Sequence, residues 1–213
     1  MVPPSRQKSH LDFICTKDQV PRVPYTYPYP RPQVTADVAV FTLRGSELEL
    51  LVVRRKHDPF AGSWALPGGF VDEDESLEHA AARELQEETG LADVPMEQLG
   101  AFGDPGRDPR GHTVTAVYLA VVPRETSRVR AGDDAAEAEW VAVDALHLDE
   151  RRAPSPGKTS LAFDHARIVR LALARLRDLV ARPHEARTSL VRDLPESLRE
   201  ALARELTRLA EAT

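Results

Sequence analysis

The chain has 213 residues, a formal net charge of -6, 42% apolar and 29% charged side chains, and one cysteine, Cys15. That length buries one core with room for a short extra element at either end, and the composition excludes wholesale disorder. The acidic balance argues against a general nucleic-acid binder, and a lone cysteine excludes both an intrachain disulfide and a cysteine-based zinc site.

The first residues (MVPPSRQKSH) lack the apolar centre of a signal peptide, and no apolar run approaches the roughly 18 residues that span a bilayer. The expectation is a cytoplasmic protein without a membrane partner. Residues 1–34 hold seven of the 17 prolines and three of the four tyrosines, so they read as an extended, Pro/Tyr-rich N-terminal extension. From residue 35 the pattern changes. TADVAVFTL (35–43) and LELLVVRR (48–55) flank the turn RGSE, which predicts a β-hairpin. Residues 76–89 are rich in Ala, Leu, Glu and Arg and predict a helix, stopped by Gly90. Strands are predicted at 97–102, 113–122 and 138–143. A long amphipathic helix follows at about 164–181, with Asp164 as its N-cap, and a last one at about 196–212 lines up Leu198, Leu202, Leu206 and Leu209. Strands interspersed with two main helices imply an α/β fold with a mixed sheet. The domain expectation is an extension at 1–34, a catalytic-type domain at 35–183 and a helical extension at 184–213.

The informative stretch is GFVDEDESLEHAAARELQEETGL, Gly69 to Leu91. On a helix, Glu84, Glu87 and Glu88 fall within about a 100° sector. Like charges at such spacing each cost a few tenths of a kcal/mol. Only Arg83 lies near enough to relieve them. A divalent cation does so directly, because hard oxygen ligands suit Mg²⁺ or Mn²⁺. A plain solvated acidic face is the competing reading of the cluster alone. The small Ala80 shares the sector, whereas Asp72–Glu75 sit at the helix start, where the macrodipole favours acids. Just upstream, Leu66–Pro67–Gly68–Gly69 reads as a tight turn bringing backbone close to the acids, with a carbonyl available to a metal.

Gly69, five residues, Glu75, seven residues, then Arg83–Glu84–Leu85–x–Glu87–Glu88–x–Gly90–Leu91 resembles the Nudix box at every fixed position. The resemblance covers about residues 35–181. It implies an α/β/α sandwich whose box helix carries a metal site, and hydrolysis of a nucleoside diphosphate linked to another group. It further implies that Glu84, Glu87 and Glu88 bind Mg²⁺ or Mn²⁺, that Gly68 or Gly69 adds a carbonyl, and that Arg83, paired with Glu75, orients the acids. The metals would neutralise the pyrophosphate and activate a water for in-line attack.

Residues 103–112 (GDPGRDPRGH) are either an exposed turn or a recognition loop in which Arg107 and Arg110 meet phosphate. Pro105, 14 residues past Leu91, and LAFDHARI at 161–168 resemble the ADP-ribose pyrophosphatase group, which makes ADP-ribose the leading substrate. Arg54, with Arg55 and Lys56, ends a strand and is a further phosphate candidate. Phe60, Trp64 and Phe102 are either packing residues or platforms for adenine. The general base is sought in AGDDAAEAE (131–139), with Glu137 ahead of Asp133 and Asp134. His57, His79, His112 and His165 show no metal-ligand spacing. Alternatives are hydrolysis of a sugar nucleotide, an oxidised nucleoside triphosphate or a dinucleoside polyphosphate, and an ADP-ribose-sensing regulator of NAD metabolism. The regulator is disfavoured because only about 30 residues follow the Nudix-like part, short of a winged helix, and because the box is whole. Related pyrophosphatases lead us to expect a homodimer, with no nucleic-acid partner.

Overall fold

The computed structural model describes residues 28–124, 129, 135–149, 151, 154 and 156–211. Residues from Pro32 onward form one compact unit. Most of the Pro/Tyr-rich segment, with Asp133 and Asp134, lies outside the described residues.

The predicted hairpin forms from β1 (Gln33–Arg44) and β2 (Glu47–Arg55), antiparallel with Phe41 opposite Leu50. Two short strands follow, β3 (Trp64–Ala65) on β2 and β4 (Gly68–Phe70) on β1. The box helix is α1 (Leu77–Thr89). Ser76 caps it by accepting from the His79 N–H, and Gly90, at φ 77°, closes it with its N–H on the Gln86 carbonyl. Then come β5 (Met96–Phe102), β6 (Thr113–Val121) and β7 (Ala135–Ala142). The described chain continues through β8 (Leu146–His147), β9 (Thr159–Ser160), α2 (His165–Ala181), α3 (Ser189–Arg192) and α4 (Glu196–Glu211).

Seven strands make one mixed sheet in the order β3-β2-β1-β6-β5, with β4 added to β1 and β7 to β2. Only β1 and β6 run parallel among its pairings. Both faces are covered, which is why β1 reads as a continuous apolar run. Alternate residues point to opposite sides. Ala39, Phe41 and Leu43 join Ile168, Leu176 and Leu179 of α2 and Leu202 and Leu206 of α4. Ala36, Val38 and Val40 join Ala80, Ala81 and Leu85 of α1. The result is helices, sheet, helix: the expected α/β/α sandwich.

Two local expectations are corrected. Leu66–Gly69 is expected as a tight turn, yet Gly68 and Gly69 form a strand opposite Asp37 and Ala36. The pairing is tertiary, so the local composition did not reveal it. Asp164 does occupy the N-cap position of α2, but its side chain makes no capping bond. The carboxylate is drawn away by Arg107.

Candidate functional site

The site assembles where β4 passes between β1 and α1. A Cβ on Gly69 would lie 2.4 Å from the Glu84 carboxylate, so the glycine brings backbone directly onto that acid. A Cβ on Gly68 would lie 2.4 Å from both the Ala36 carbonyl and Asp37 Oδ1, on the opposite side. The Gly68 N–H donates to Glu88 at 2.9 Å. Glycine is required at position 68, where β1 backbone is the neighbour, whereas at Gly69 a side chain would displace the flexible Glu84 carboxylate.

Arg83 organises the acids. Its Nε and Nη2 donate to the two Glu75 oxygens, each at 2.8 Å; Nη1 donates to Glu84 at 2.8 Å and Glu87 at 3.2 Å, and Nη2 also reaches the Phe70 carbonyl at 3.0 Å. Arg83, backed by the Asp72 N–H, holds the Glu75 carboxyl far below the usual range. Glu84 and Glu88 go the other way. Burial pushes Glu88 up to about 8, with Glu84 and Asp37 adding to the shift against the Gly68 N–H and Arg55. Burial likewise raises Glu84, against the pull of Arg83. The three box glutamates do not converge on one point, since Glu84 and Glu87 lean on Arg83 while Glu88 turns inward. Among the described residues no three acidic, histidine or cysteine side chains are arranged around a metal position.

Beside this loop opens a cleft of about 80 Å³, lined by Asp37, Arg55, Gly68, Gly69, Phe70, Arg107, Asp108, Arg110, Phe163 and His165 among others. Two of the three arginines picked from the sequence reach it. Arg107 is nearly buried and bidentate to Asp164 (2.7 and 3.2 Å), and Arg167 pairs with Asp104, so loop 103–112 is tied to the start of α2. Arg110 grips the buried Asp108 (2.7 to 3.1 Å) and stacks on Phe70 and Phe163. Burial alone would raise the Asp108 carboxyl; Arg110 outweighs it and holds the group below its ordinary value.

Arg54 is not in the cleft. It is exposed and pairs with Glu137 at 3.2 Å, so the favoured base is engaged at the surface of β2 and β7. Its neighbour Arg55 lines the cleft instead, because successive strand residues face opposite sides. Arg55 donates to the Pro59 and His57 carbonyls and lies 4.7 Å over the Phe163 ring. Of the aromatic candidates, Phe102 is core, Trp64 packs against the core under Arg54, and Phe60 is 42% exposed with its ring edge-on to Phe163. Phe60 and Phe163 both hold positive φ (65° and 53°). Such strain in non-glycine residues persists where surroundings over-determine it.

Two residues to which the sequence assigns no role, Asp37 and His165, line the cleft. Asp37 is buried in β1 and takes the Thr115 hydroxyl at 2.6 Å. His165 is buried at the start of α2, where its Nδ1 accepts from the Leu66 N–H at 2.9 Å. Burial lowers the His165 pKa, with Asp37 the foremost opposing charge. An aspartate inside an apolar strand is the signal for Asp37, and His165 lies within the LAFDHARI stretch.

Comparison with known proteins agrees with this geometry. The profile of the NUDIX domain matches residues 33–163. The ADP-ribose pyrophosphatase of Methanocaldococcus jannaschii is 40% identical over 134 residues, covering 62% of this chain and 70% of that protein. The ADPR responsive transcriptional repressor NtrR of Acinetobacter baylyi is 37% identical over 151 residues, covering 70% of this chain but 56% of the repressor's length. In structure, the NUDIX domain of Shewanella oneidensis NrtR, solved as a complex with ADP ribose, superposes with a TM-score of 0.59 at 34% identity, over 70% of this chain and 90% of that one. With its box whole and its acidic helix, double glycine and cleft in one place, this chain belongs to the NUDIX domain family.

Proposed function

We propose that the protein hydrolyses the pyrophosphate bond of a nucleoside diphosphate derivative, converting ADP-ribose and water to AMP and ribose 5-phosphate. The observation that carries this reading is the carboxylate cluster of α1 set against Gly68–Gly69 at the edge of an arginine-lined cleft. The relationship to an ADP-ribose pyrophosphatase and to a domain solved with ADP ribose supports that substrate.

The residues present fit a hard divalent cation. Glu84 and Glu88 are acids whose burial, beside Asp37, penalises their charge, and cationic charge is what relieves such a group. Glu84, Glu87, Glu88 and the backbone of Gly68 or Gly69 would hold Mg²⁺ or Mn²⁺. Bound there, the ion supplies neutralisation of the diphosphate and an activated water. Arg83 keeps the acids from scattering, and Glu75 keeps Arg83 in place. Arg55 presents a guanidinium braced by two carbonyls and a phenyl face, pre-oriented for phosphate oxygens. Arg107 and Arg110 hold the far wall of the cleft in register.

Incubating purified protein with ADP-ribose and Mg²⁺, with Glu88→Gln as control, tests the proposal by product analysis. AMP and ribose 5-phosphate from wild type are expected, with the variant slowed about 100-fold or more. Absence of AMP from folded wild type rejects the substrate. A panel of sugar nucleotides, oxidised nucleoside triphosphates and dinucleoside polyphosphates then covers the remaining enzymes.

A second reading, an ADP-ribose-responsive regulator, is favoured by the similarity to a repressor of that description. A salt-sensitive gel shift relieved by ADP-ribose would establish it in place of turnover. The enzyme reading also includes a homodimer and a cytoplasmic location; light scattering on the purified chain tests the first. No helix among the described residues is long and apolar enough to cross a membrane.

A further inference from the structure

The cleft is lined by side chains of opposite character. Arg55, Arg107 and Arg110 suit anions, whereas Asp37 would repel a phosphate. Asp37 is 7% exposed, lies on the Gly68 backbone, and has no ion-pair partner within 4 Å among the described residues. One oxygen takes the Thr115 hydroxyl, which leaves Oδ1 with acceptor capacity at the cleft wall. A buried carboxylate with so few partners is costly unless something else completes its hydrogen bonding. Opposite in character is His165. Because Nδ1 accepts from the Leu66 N–H, the ring proton resides on Nε2, which makes the side chain a neutral donor. The one side-chain bond of His165 among the described residues is at Nδ1, so Nε2 is left to the cleft that the ring lines.

An anionic acceptor beside a neutral donor is complementary to a group that both donates and accepts, as a sugar hydroxyl does. A phosphate oxygen only accepts. We infer that Asp37 and His165 form a sugar-hydroxyl subsite that reads the pentose on the far side of the diphosphate. The inference rests on the proposed hydrolysis of ADP-ribose for its substrate, and on geometry for its residues.

Two substrates separate it from a general role in catalysis: ADP-ribose, and the P2-methyl ester of ADP, which keeps the diphosphate but lacks the distal sugar. Asp37→Asn keeps shape and removes the charge. His165→Asn keeps an acceptor near Leu66 and removes the distal N–H. Each variant is expected to lose about tenfold or more in kcat/KM on ADP-ribose, mainly through KM, and less than about threefold on the methyl ester. His165→Gln, whose amide reaches the Nε2 position, should recover part of the loss. Equal losses on both substrates overturn the subsite; because the Asp37 charge reaches Glu88, both variants are assayed at saturating Mn²⁺. Should one variant fail to fold, as judged by circular dichroism, the other carries the test.

If wild type turns over neither substrate, the functional proposal fails and the subsite is judged by binding alone. Ribose 5-phosphate must then raise the melting temperature more than inorganic phosphate does, and His165→Asn must abolish the difference. An equal effect of the two ligands overturns the inference.

Discussion

Glu88 shows how one side chain links function to stability. Its carboxyl, ordinarily near 4.5, is pushed up to about 8 by burial. Between those values the folded chain keeps a proton that the unfolded chain has released, so stability is full below about 4.5 and falls as pH rises to 8. In metal-free protein the melting temperature is therefore expected to drop by roughly 5 °C more across this window in wild type than in Glu88→Gln. Adding Mn²⁺ at pH 8 should restore it in wild type alone. Parallel pH profiles of the two proteins would refute the assignment of that strain to Glu88. Glu75, just before the helix, is its opposite: Arg83 holds that acid firmly charged, while Glu88 resists charge against the backbone of β4.

The element that matters most is the three-residue strand β4, because it touches β1 on one side and α1 on the other. Its two glycines have different neighbours, and their alanine variants should fail differently. In Gly68→Ala the new Cβ meets the backbone of β1 at 2.4 Å, and φ is 154°, so neither partner yields. A loss of about 3 kcal/mol or more is expected in chemical denaturation. In Gly69→Ala the obstacle is the Glu84 carboxylate, the end of a flexible side chain. That variant should fold with a loss of about 1 kcal/mol, yet lose most of its activity as Glu84 is displaced. A fully active Gly69→Ala enzyme would show that the contact is incidental.

Across the molecule, the apolar stripe of the last helix is part of the main core. Leu202 and Leu206 are buried against the α2 face of the sheet, with Leu198 and Leu209 packed beside them. Leu202→Ala is expected to cost about 2–5 kcal/mol in urea denaturation, whereas Leu171→Ala, on the 45% exposed side of α2, should be nearly neutral. Equal effects would place α4 away from the sheet in solution. Segment 184–211 therefore has a structural task, closing one layer of the sandwich.

Sequence by itself determined whatever depends on neighbours a few residues apart. Helical spacing brought Glu84, Glu87 and Glu88 to one sector, Gly90 stopped that helix, and β-rich runs around RGSE made the hairpin. The box spacing, being local, was enough for the family. Only the tertiary structure decided what lies across long separations. It turned Gly68–Gly69 from a turn into a strand, placed Arg55 in the cleft and Arg54 outside it, and drew Asp164 from its cap to Arg107. It also brought Asp37 and His165, 128 residues apart, to one cleft. Periodicity has no reach over such distances. Those pairings form only when both faces of the sheet are buried, and the burial that stabilises the sandwich is also what perturbs the acids at its edge.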